Sequence, residues 1–291
     1  MPYSQILEKL LQKQNLSASE MHDTIHAFMQ GHASEVQMAA FLCALRSKGE
    51  TIEEITAAAT VMRELATPIP ISGEHLIDTC GTGGDGANTF NISTTSAFVV
   101  AAAGGRVAKH RNRSVSSCCG SADVLELAGV NLHLSPEQVA QCVDTLGIGF
   151  LFAPHYHGAM QHTRSVRKEL GVRTLFNLLG PLANPAKADH QLIGVFDAMW
   201  TSPLAHVFNA LGSRHVLVVS AEDGLDEISI ATPTRVAELK NGHVSCYTIS
   251  PQQFGLPQAS LNAIEITNVH DSLLMLKHVL SNHAGAAKDI V

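Results

Sequence analysis

The sequence predicts an α/β protein with a small N-terminal all-helical domain, a larger α/β domain with a mostly parallel central sheet, and a hinge between them. The first 66 residues carry helix start and stop signals and no strand pattern. From Ile69 onward, short apolar strands alternate with helices, which is the order of elements that a parallel sheet requires. A chain of 291 residues can bury one large or two modest cores.

The N-terminal part contains two capping boxes and a stripe of small residues. Ser17-x-x-Glu20 and Thr51-x-x-Glu54 are the capping boxes, and Gly49 fits a helix end. Small apolar residues recur between them at helical spacing: Val36, Ala39, Ala40, Cys43 and Ala44. Such a stripe suits either the core of the domain or an interface with a second copy, and both interpretations stay open here.

The remaining chain predicts five strands and a late amphipathic helix. The strands are expected at 76–79, 106–108, 148–153, 191–196 and 216–220. The helix is expected at 268–282. A proline-rich segment at 180–185 (GPLANP) interrupts a helical pattern and is the predicted hinge.

A glycine-rich segment at 78–94 (DTCGTGGDGANTFNIST) predicts a polyphosphate site. Its glycines let backbone N–H groups approach an anion, and Asn91, Ser93 and Thr94 sit where helix N-cap residues belong. The chain has a formal net charge of −7, yet it has no Asp or Glu between Gly86 and Ala122. That stretch instead supplies four cations: Arg106, Lys109, Arg111 and Arg113.

Two commoner glycine motifs do not fit this segment. Gly81-x-Gly83-x-x-Gly86 satisfies the dinucleotide-binding pattern, but the acidic residue expected roughly 20 positions later is absent. The nucleoside-triphosphate loop requires Gly-x-x-x-x-Gly-Lys-Ser/Thr, which does not occur here. An ordinary turn beside a solvated basic face would explain neither the missing carboxylates nor the second loop of basic and hydroxyl residues at 109–121.

An acidic cluster and a histidine-rich segment are the other chemical features. Asp226 and Glu227 follow a predicted strand within DGLDE. Adjacent carboxylates of this kind are more often a solvated turn, but beside an anion site they also suit Mg²⁺, and both interpretations stay open at this point. Three histidines stand at 155, 157 and 162, but no carboxylate or thiolate accompanies them, so the pattern does not favour zinc.

Composition excludes several classes of protein. The chain has no signal-peptide pattern and no apolar run near the roughly 18 residues that span a membrane. Its six cysteines lack metal-type spacing and are expected to be reduced thiols. A pI near 6.1 argues against nucleic acid as a partner. We therefore expect a cytoplasmic enzyme that binds neither membrane nor nucleic acid.

Four segments together resemble the anthranilate phosphoribosyltransferase family. They are 78–94, 109–123 (KHRNRSVSSCCGSAD), 167–185 (RKELGVRTLFNLLGPLANP) and 224–227 (GLDE). The resemblance implies a Mg²⁺-dependent transfer of the phosphoribosyl group from 5-phosphoribosyl 1-diphosphate to anthranilate, a step of tryptophan biosynthesis. Pyrimidine nucleoside phosphorylases share the fold but lack the GTGGDG and GLDE forms.

The resemblance assigns roles to individual residues. It implies that the donor is held by Gly81, Gly84, Asp85, Thr89, Asn91, Ile92, Ser93, Thr94, Lys109, Ser117 and Ser121. It implies that the acceptor is held by Gly81, Asn112 and Arg167. It implies that the metal is held by Ser93, Asp226 and Glu227. No residue is expected to act as an acid, a base or a nucleophile.

The resemblance also implies a domain arrangement and a homodimer. Residues 1–67, with 168–187, form the helical domain, through which two copies are expected to associate. Residues 68–167 and 188–291 form the α/β domain. Family members continue into C-terminal helices that are absent here, so we expect some apolar surface to be uncovered.

Two departures from the family pattern lie inside the substrate loop. Arg111 stands where glycine is usual, and Cys118-Cys119 stands where a basic residue and serine are usual. They leave open a phosphoribosyltransferase acting on another aromatic amine, or a pyrimidine nucleoside phosphorylase.

Overall fold

The chain forms two compact units in a computed structural model that describes residues 2–71, 73–113 and 118–291. The helical unit contains Met1–Thr67 and Pro154–Lys187. The α/β unit contains Pro68–Ala153 and Ala188–Val291. No helix in the described ranges has the length and apolar character needed to cross a bilayer.

The helices are given in chain order. They are α1 (Tyr3–Leu11), α2 (Ala18–Met29), α3 (Glu35–Lys48), α4 (Ile52–Glu64), α5 (Ile92–Ala102), α6 (Ser121–Leu127), α7 (Pro136–Leu146), α8 (Ala153–Tyr156), α9 (Arg164–Leu170), α10 (Phe176–Leu182), α11 (Thr201–Ala210), α12 (Val269–Leu280) and α13 (Ala286–Asp289). Short 3₁₀ helices cover Gly158–Thr163, Ala198–Trp200, Pro251–Phe254 and Leu261–Ala263.

Side-chain caps set the starts of the N-terminal helices. Both predicted capping boxes are confirmed, with Ser17 before α2 and Thr51 before α4. A third box, which the sequence argument missed, joins Ser34 to Gln37 at the start of α3. Each box satisfies backbone N–H groups that a helix start would otherwise leave without partners.

The segment 154–167 packs in the helical unit, whereas we predicted that it belongs to the α/β domain. The Thr67 backbone N–H donates to the Tyr156 carbonyl at 2.9 Å. The Ser165 hydroxyl donates to the Glu35 carboxylate at the start of α3. These contacts link the segment to α3 and to the end of the N-terminal helices, so the unit boundary falls before residue 154.

The small-residue stripe on α3 does not form the core of the unit. Val36 is 80% exposed and Cys43 is exposed, while Ala44 is buried. The residues of α3 that fill the core are larger: Met38, Phe41, Leu42 and Leu45. The interpretation as a core stripe is therefore wrong for most of its members.

A seven-stranded sheet in the described residues organises the α/β unit, in the order β3-β2-β1-β4-β5-β6-β7. Its strands are β1 (Leu76–Gly81), β2 (Arg106–Arg111), β3 (Ile148–Phe152), β4 (His190–Gly194), β5 (His215–Ala221), β6 (Thr234–Lys240) and β7 (His243–Ile249). The first five pair in parallel, and β5, β6 and β7 pair antiparallel. The mostly parallel sheet and its five predicted strands are confirmed, with ends shifted by a few residues.

The hairpin of β6 and β7 was not predicted. Most side chains of β7 are exposed, so its sequence lacks the apolar alternation of a half-buried strand. The turn did carry a signal, because Asn241 and Gly242 both have positive φ, at 50° and 82°. Asn-Gly in that conformation is the preferred two-residue hairpin turn.

Helix α12 fixes the environment of α5 and α6. The predicted amphipathic helix is confirmed, and its Asn268 cap accepts from the N–H groups of His270 and Asp271. Leu276 and Val279 of this helix join a buried cluster that contains Ile92 of α5. The start of α5 is therefore packed from the side by apolar contacts.

The Glu54 carboxylate should be a principal support of the helical unit. It is fully buried and accepts from the N–H groups of Leu16 and Thr51 at 2.9 and 2.8 Å, and from the Lys48 ammonium at 2.8 Å. Glu54→Gln leaves a buried cation without its anion, so we expect a loss of about 3 kcal/mol of unfolding free energy. Urea denaturation followed by circular dichroism measures this loss.

The matched control for that variant is Glu53→Gln. Glu53 precedes Glu54 on α4 but is exposed, so its replacement should change the unfolding free energy by less than about 0.5 kcal/mol. Equal losses in the two variants would show that the buried ion pair has no special role.

Candidate active site

The carboxyl ends of β1 and β4 meet at the point where the strand order reverses. From β1 the chain continues to β2 on one side of the sheet, while β4 and β5 follow on the other. Gly81 and Gly194, the last residues of β1 and β4, are register partners. Ligands of open parallel sheets bind outside the carboxyl ends of the strands at such a switch point.

The glycine loop leaves β1 at this point. Gly83, Gly84 and Gly86 have φ of 69°, 83° and 75°, in the left-handed region that favours glycine. The Thr82 N–H donates to the Gly194 carbonyl at 2.8 Å, which ties the loop to β4. The predicted use of glycine for unusual backbone angles thus applies to three of the loop glycines.

Gly81 and Gly194 are needed for a different reason, because Asp226 lies against the backbone at both positions. A Cβ atom at Gly81 would lie 2.5 Å from Oδ2 of Asp226. A Cβ atom at Gly194 would lie 1.4 Å from the Asp226 backbone oxygen. The acidic loop after β5 therefore rests directly on the ends of β1 and β4, and any side chain there would displace it.

The predicted acid pair contacts both the glycine loop and helix α5. Oδ2 of Asp226 accepts from the Gly83 N–H at 2.7 Å. Oε1 of Glu227 accepts from the Ser93 N–H at 3.2 Å, in the first turn of α5. Asp226 is 8% exposed, and Glu227 is partly exposed as a residue although protein surrounds its carboxyl group.

Burial and like charges make this pair hard to ionise. Burial raises the pKa of Asp226 well above its usual value, and the charges of Glu227 and Asp85 raise it further. Burial raises the pKa of Glu227 to about 7, although Lys109 and Arg111 act in the opposite direction. A divalent cation at the pair would relieve this repulsion.

The residues predicted to hold Mg²⁺ fit that ion. Both the backbone N–H and the hydroxyl of Ser93 hydrogen-bond the Glu227 carboxylate, and the charge of Glu227 raises the pKa of Asp226, so the three oxygen ligands are close together. No cluster of three or more His, Cys, Asp or Glu side chains in the described ranges could hold a metal by itself. Two carboxylates and a hydroxyl leave positions for water and phosphate oxygens, as Mg²⁺ prefers.

Two of the four predicted cations lie at the glycine loop. Lys109 is 1% exposed, and its ammonium donates to the carbonyl of Thr79 and, at 3.4 Å, to Oγ1 of that residue. Burial lowers the pKa of Lys109 to about 8, and the positive charge of Arg111 contributes. The Arg111 guanidinium donates to the Gly81 carbonyl.

The other two cations are paired elsewhere, contrary to our interpretation of the basic stretch. Arg106 begins β2 and pairs with Asp144 at 2.5 Å. Arg113 pairs with Asp123 at 3.1 Å and Glu126 at 2.7 Å. The absence of Asp and Glu from residues 87–121 was misleading, because acidic side chains from α6 and α7 supply the missing charges.

The start of α5 is held by side chains of other elements. Asn91 is the N-cap residue but makes no capping hydrogen bond with its side chain, unlike our prediction. Its Oδ1 instead accepts from the Ser272 hydroxyl at 2.7 Å and from the Cys119 thiol at 3.0 Å. The Thr94 hydroxyl donates to that of Ser121 at 2.9 Å, which joins α5 to α6.

The remaining predicted donor residues in the described ranges lie between the end of β1 and the start of α5. Asp85 accepts from the Ala87 N–H at 3.3 Å, Thr89 forms a bridge with Glu265, and Ile92 is buried at the start of α5. Gly84 lies in the glycine loop, directly before Asp85. Ser117 lies outside the described residues.

The predicted acceptor residues occur in both units. Asn112 is exposed and follows β2, where its Oδ1 accepts from the Arg113 N–H at 2.8 Å. Arg167 lies on α9 in the helical unit, with its guanidinium carbon 5.5 Å from the ring centre of Phe176. Burial lowers the pKa of His157, in the same unit as Arg167, to about 4, so that imidazole is neutral at physiological pH.

Sequence reasoning missed two residues that shape this site. Gly194 lies inside the predicted strand 191–196, and a glycine within a strand can signal close backbone approach. Ser272 carried no local signal, because its partner Asn91 lies 181 residues earlier in the chain. Only the packing of α12 brings the two together.

Comparisons with known proteins agree with this architecture. Residues 73–291 match the domain described as glycosyl transferase family, a/b domain. Residues 4–66 match glycosyl transferase family, helical bundle domain. These two matches correspond to a helical part followed by an α/β part.

Curated relatives decide the family. The chain is 60% identical over 291 residues to anthranilate phosphoribosyltransferase of Methylococcus capsulatus, covering 100% of this chain and 85% of that protein. The chain belongs to the anthranilate phosphoribosyltransferase family. The family member of Thioalkalivibrio sulfidiphilus is 57% identical, over 100% of this chain and 86% of that protein.

Solved anthranilate phosphoribosyltransferases have the same fold. The enzyme of Thermus thermophilus is 41% identical with a TM-score of 0.92, over 98% of this chain and 85% of that one. The Saccharomyces cerevisiae enzyme in complex with PRPP and Mg is 27% identical with a TM-score of 0.88, over 99% and 84%. The resemblance and fold class inferred from the four sequence segments are confirmed.

Replacing Gly194 by alanine should displace the acidic loop. The new Cβ atom would overlap the Asp226 carbonyl oxygen, which is a backbone atom and cannot rotate away. We expect a loss of about 3 kcal/mol of stability, at the upper end of overpacking costs. Differential scanning calorimetry measures this loss. In the control Gly180→Ala, the added Cβ meets open space, and a melting temperature of Gly194→Ala equal to that of the control would contradict the close approach.

Glu227→Gln should flatten the pH dependence of stability. The pKa of Glu227 is about 7 in the folded protein against an ordinary 4.5, so the folded state holds a proton that the unfolded chain has released. Its stabilising contribution is complete below about pH 4.5 and is lost as pH rises through about 7. The variant should therefore gain in melting temperature relative to wild type between pH 5 and 7.5. A constant difference would contradict the shifted carboxyl group.

Proposed function

We propose that this chain transfers the phosphoribosyl group of 5-phosphoribosyl 1-diphosphate to the amino group of anthranilate, releasing diphosphate, in tryptophan biosynthesis. The observation that carries the proposal is the acid pair Asp226 and Glu227 resting against the glycine loop and the start of α5. Two solved structures of the Saccharomyces cerevisiae family member support the ligands, since one is described in complex with PRPP and Mg and the other with 4-fluoroanthranilate.

The donor occupies the carboxyl ends of β1 and β2 in this proposal. The glycine loop offers backbone N–H groups, and the start of α5 adds the positive end of a helix dipole. The residues assigned to the donor are Gly81, Gly84, Asp85, Thr89, Asn91, Ile92, Ser93, Thr94, Lys109, Ser117 and Ser121. Lys109 contributes a positive charge beneath the loop, where its ammonium already contacts Thr79.

The assigned metal ligands are Ser93, Asp226 and Glu227. Mg²⁺ bound there would offset the negative charge of the departing diphosphate. The chain itself fixes the position of both carboxylates, because Gly83 donates to Asp226 and Ser93 donates to Glu227.

The assigned acceptor residues are Gly81, Asn112 and Arg167. A guanidinium can bind a carboxylate with two parallel hydrogen bonds, which suits the carboxylate of anthranilate. Phe176 is buried and lies under the Arg167 guanidinium, so it limits the rotation of that side chain.

The reaction needs no acid, base or nucleophile from the chain. Breaking the anomeric C–O bond sends its electron pair to the departing diphosphate and leaves an electron-poor ribosyl carbon. The amine nitrogen supplies the electron pair for the new C–N bond and releases one of its two protons to water. The residues contribute by holding the two reactants in line and by stabilising charge on the leaving diphosphate.

We further infer a cytoplasmic homodimer that associates through the helical unit. The outward side of α3 supports the interface, since Val36 is 80% exposed and Cys43 is exposed beside small alanines. Free thiols at all six cysteines support a reducing compartment.

Loss of anthranilate fluorescence in the presence of 5-phosphoribosyl 1-diphosphate and Mg²⁺ tests the proposed reaction. We expect turnover with wild type and a loss on the order of 10²-fold in the double variant Asp226→Asn, Glu227→Gln, which keeps its shape but not its charge. The same variants are assayed with other aromatic amines, and with pyrimidine nucleosides plus inorganic phosphate. Faster turnover of either alternative set than of anthranilate would contradict the proposed substrates.

A further inference from the structure

Arg111 is the last residue of β2, and its side chain reaches the end of β1, where the glycine loop begins. It is partly buried, and its Nη1 donates to the Gly81 carbonyl. Gly81 is also the residue on which the Asp226 carboxylate rests. The guanidinium therefore lies at the same strand end as the acid pair.

The positive charge of Arg111 shifts the pKa values of three other groups in the site. Its guanidinium favours the charged forms of Asp226 and Glu227 and disfavours that of Lys109. Yet Arg111 forms no ion pair within 4.0 Å with any carboxylate among residues 2–71, 73–113 and 118–291. Its hydrogen bond goes to a neutral carbonyl, so no direct ion pair occupies the guanidinium.

The other two arginines of this stretch, Arg106 and Arg113, do form ion pairs with carboxylates. Arg106, at the other end of the same strand, is paired with Asp144, and Arg113 is paired with Asp123 and Glu126. Arg111 is held in place by the backbone while its charge remains available to an anion at the strand ends. A fixed, partly desolvated guanidinium is a strong ligand for phosphate oxygens.

We propose that Arg111 is a resident cation of the donor site, which binds the diphosphate group directly and makes donor binding only weakly dependent on Mg²⁺. The proposal rests on the proposed function, because it assigns the donor to this site. It has a second consequence. The guanidinium partly neutralises Asp226 and Glu227, so it also weakens the binding of Mg²⁺ to the free protein.

Opposite effects on two ligands distinguish this role from a structural one. Removing the charge should weaken binding of diphosphate without metal and strengthen binding of Mg²⁺ alone. General damage to the site would weaken both. Arg111→Gln removes the charge but keeps a polar amide on a shorter side chain, and Arg111→Lys keeps the charge. Arg106→Gln removes an equal charge from the opposite end of β2.

Isothermal titration with inorganic diphosphate in EDTA is the first measurement. For wild type we expect a Kd within tenfold of the value in Mg²⁺. Arg111→Gln should weaken binding in EDTA about tenfold or more, while Arg111→Lys and Arg106→Gln change it less than about threefold. Undetectable binding by wild type in EDTA, or equal losses in Arg111→Gln and Arg106→Gln, would overturn the proposal whether or not every variant folds.

Titration of the free protein with Mg²⁺ is the second measurement. Arg111→Gln should bind Mg²⁺ about threefold more tightly than wild type, and weaker binding would contradict the proposal. Turnover of anthranilate by wild type in saturating Mg²⁺ is measured separately. A wild type that binds diphosphate in EDTA through Arg111 but does not consume anthranilate would refute the proposed reaction and leave the role of Arg111 intact.

Discussion

The backbone of Asp226 rests on two strand ends that have no side chain. Gly81 and Gly194 are register partners at the end of β1 and β4, and together they leave room for the Asp226 carboxylate and carbonyl. This close approach places the acid pair within hydrogen-bond distance of Gly83 and Ser93. The geometry of the loop, the start of α5 and the acidic turn all depend on that one contact.

The same contact brings carboxylates of like charge together inside the α/β unit. The Asp226 and Glu227 carboxylates are gathered where burial already disfavours their charged forms, and the charge of Asp85 lies close enough to disfavour that of Asp226 further. Lys109 and Arg111 offset part of that charge without forming ion pairs with the acid pair. The carboxylates repel one another until a divalent cation binds, and the cations lack an anion until a diphosphate binds. Binding of both ligands therefore relieves unfavourable interactions of the free site, which increases the affinity for each.

Local patterns in the sequence predicted local structure well. Capping boxes, five strands, the glycine loop and the acid pair are encoded by residues close together in the chain, and the structure has them where they were expected. Contacts between distant segments were not predictable. The Ser272 hydroxyl reaches Asn91 across 181 residues, Asp144 neutralises Arg106 from another helix, and residues 154–167 pack with helices at the start of the chain. Each depends on tertiary packing that no local spacing signals.

The central claim is that Asp226 and Glu227 hold the metal that accompanies the donor. Crystals grown with 5-phosphoribosyl 1-diphosphate and Mn²⁺ in place of Mg²⁺ test it directly, since anomalous scattering locates the ion. The account predicts one peak within coordination distance of carboxylate oxygens from both residues and of a diphosphate oxygen, near the Ser93 hydroxyl. A peak bound only by diphosphate and water, more than about 4 Å from both carboxylates, would contradict it.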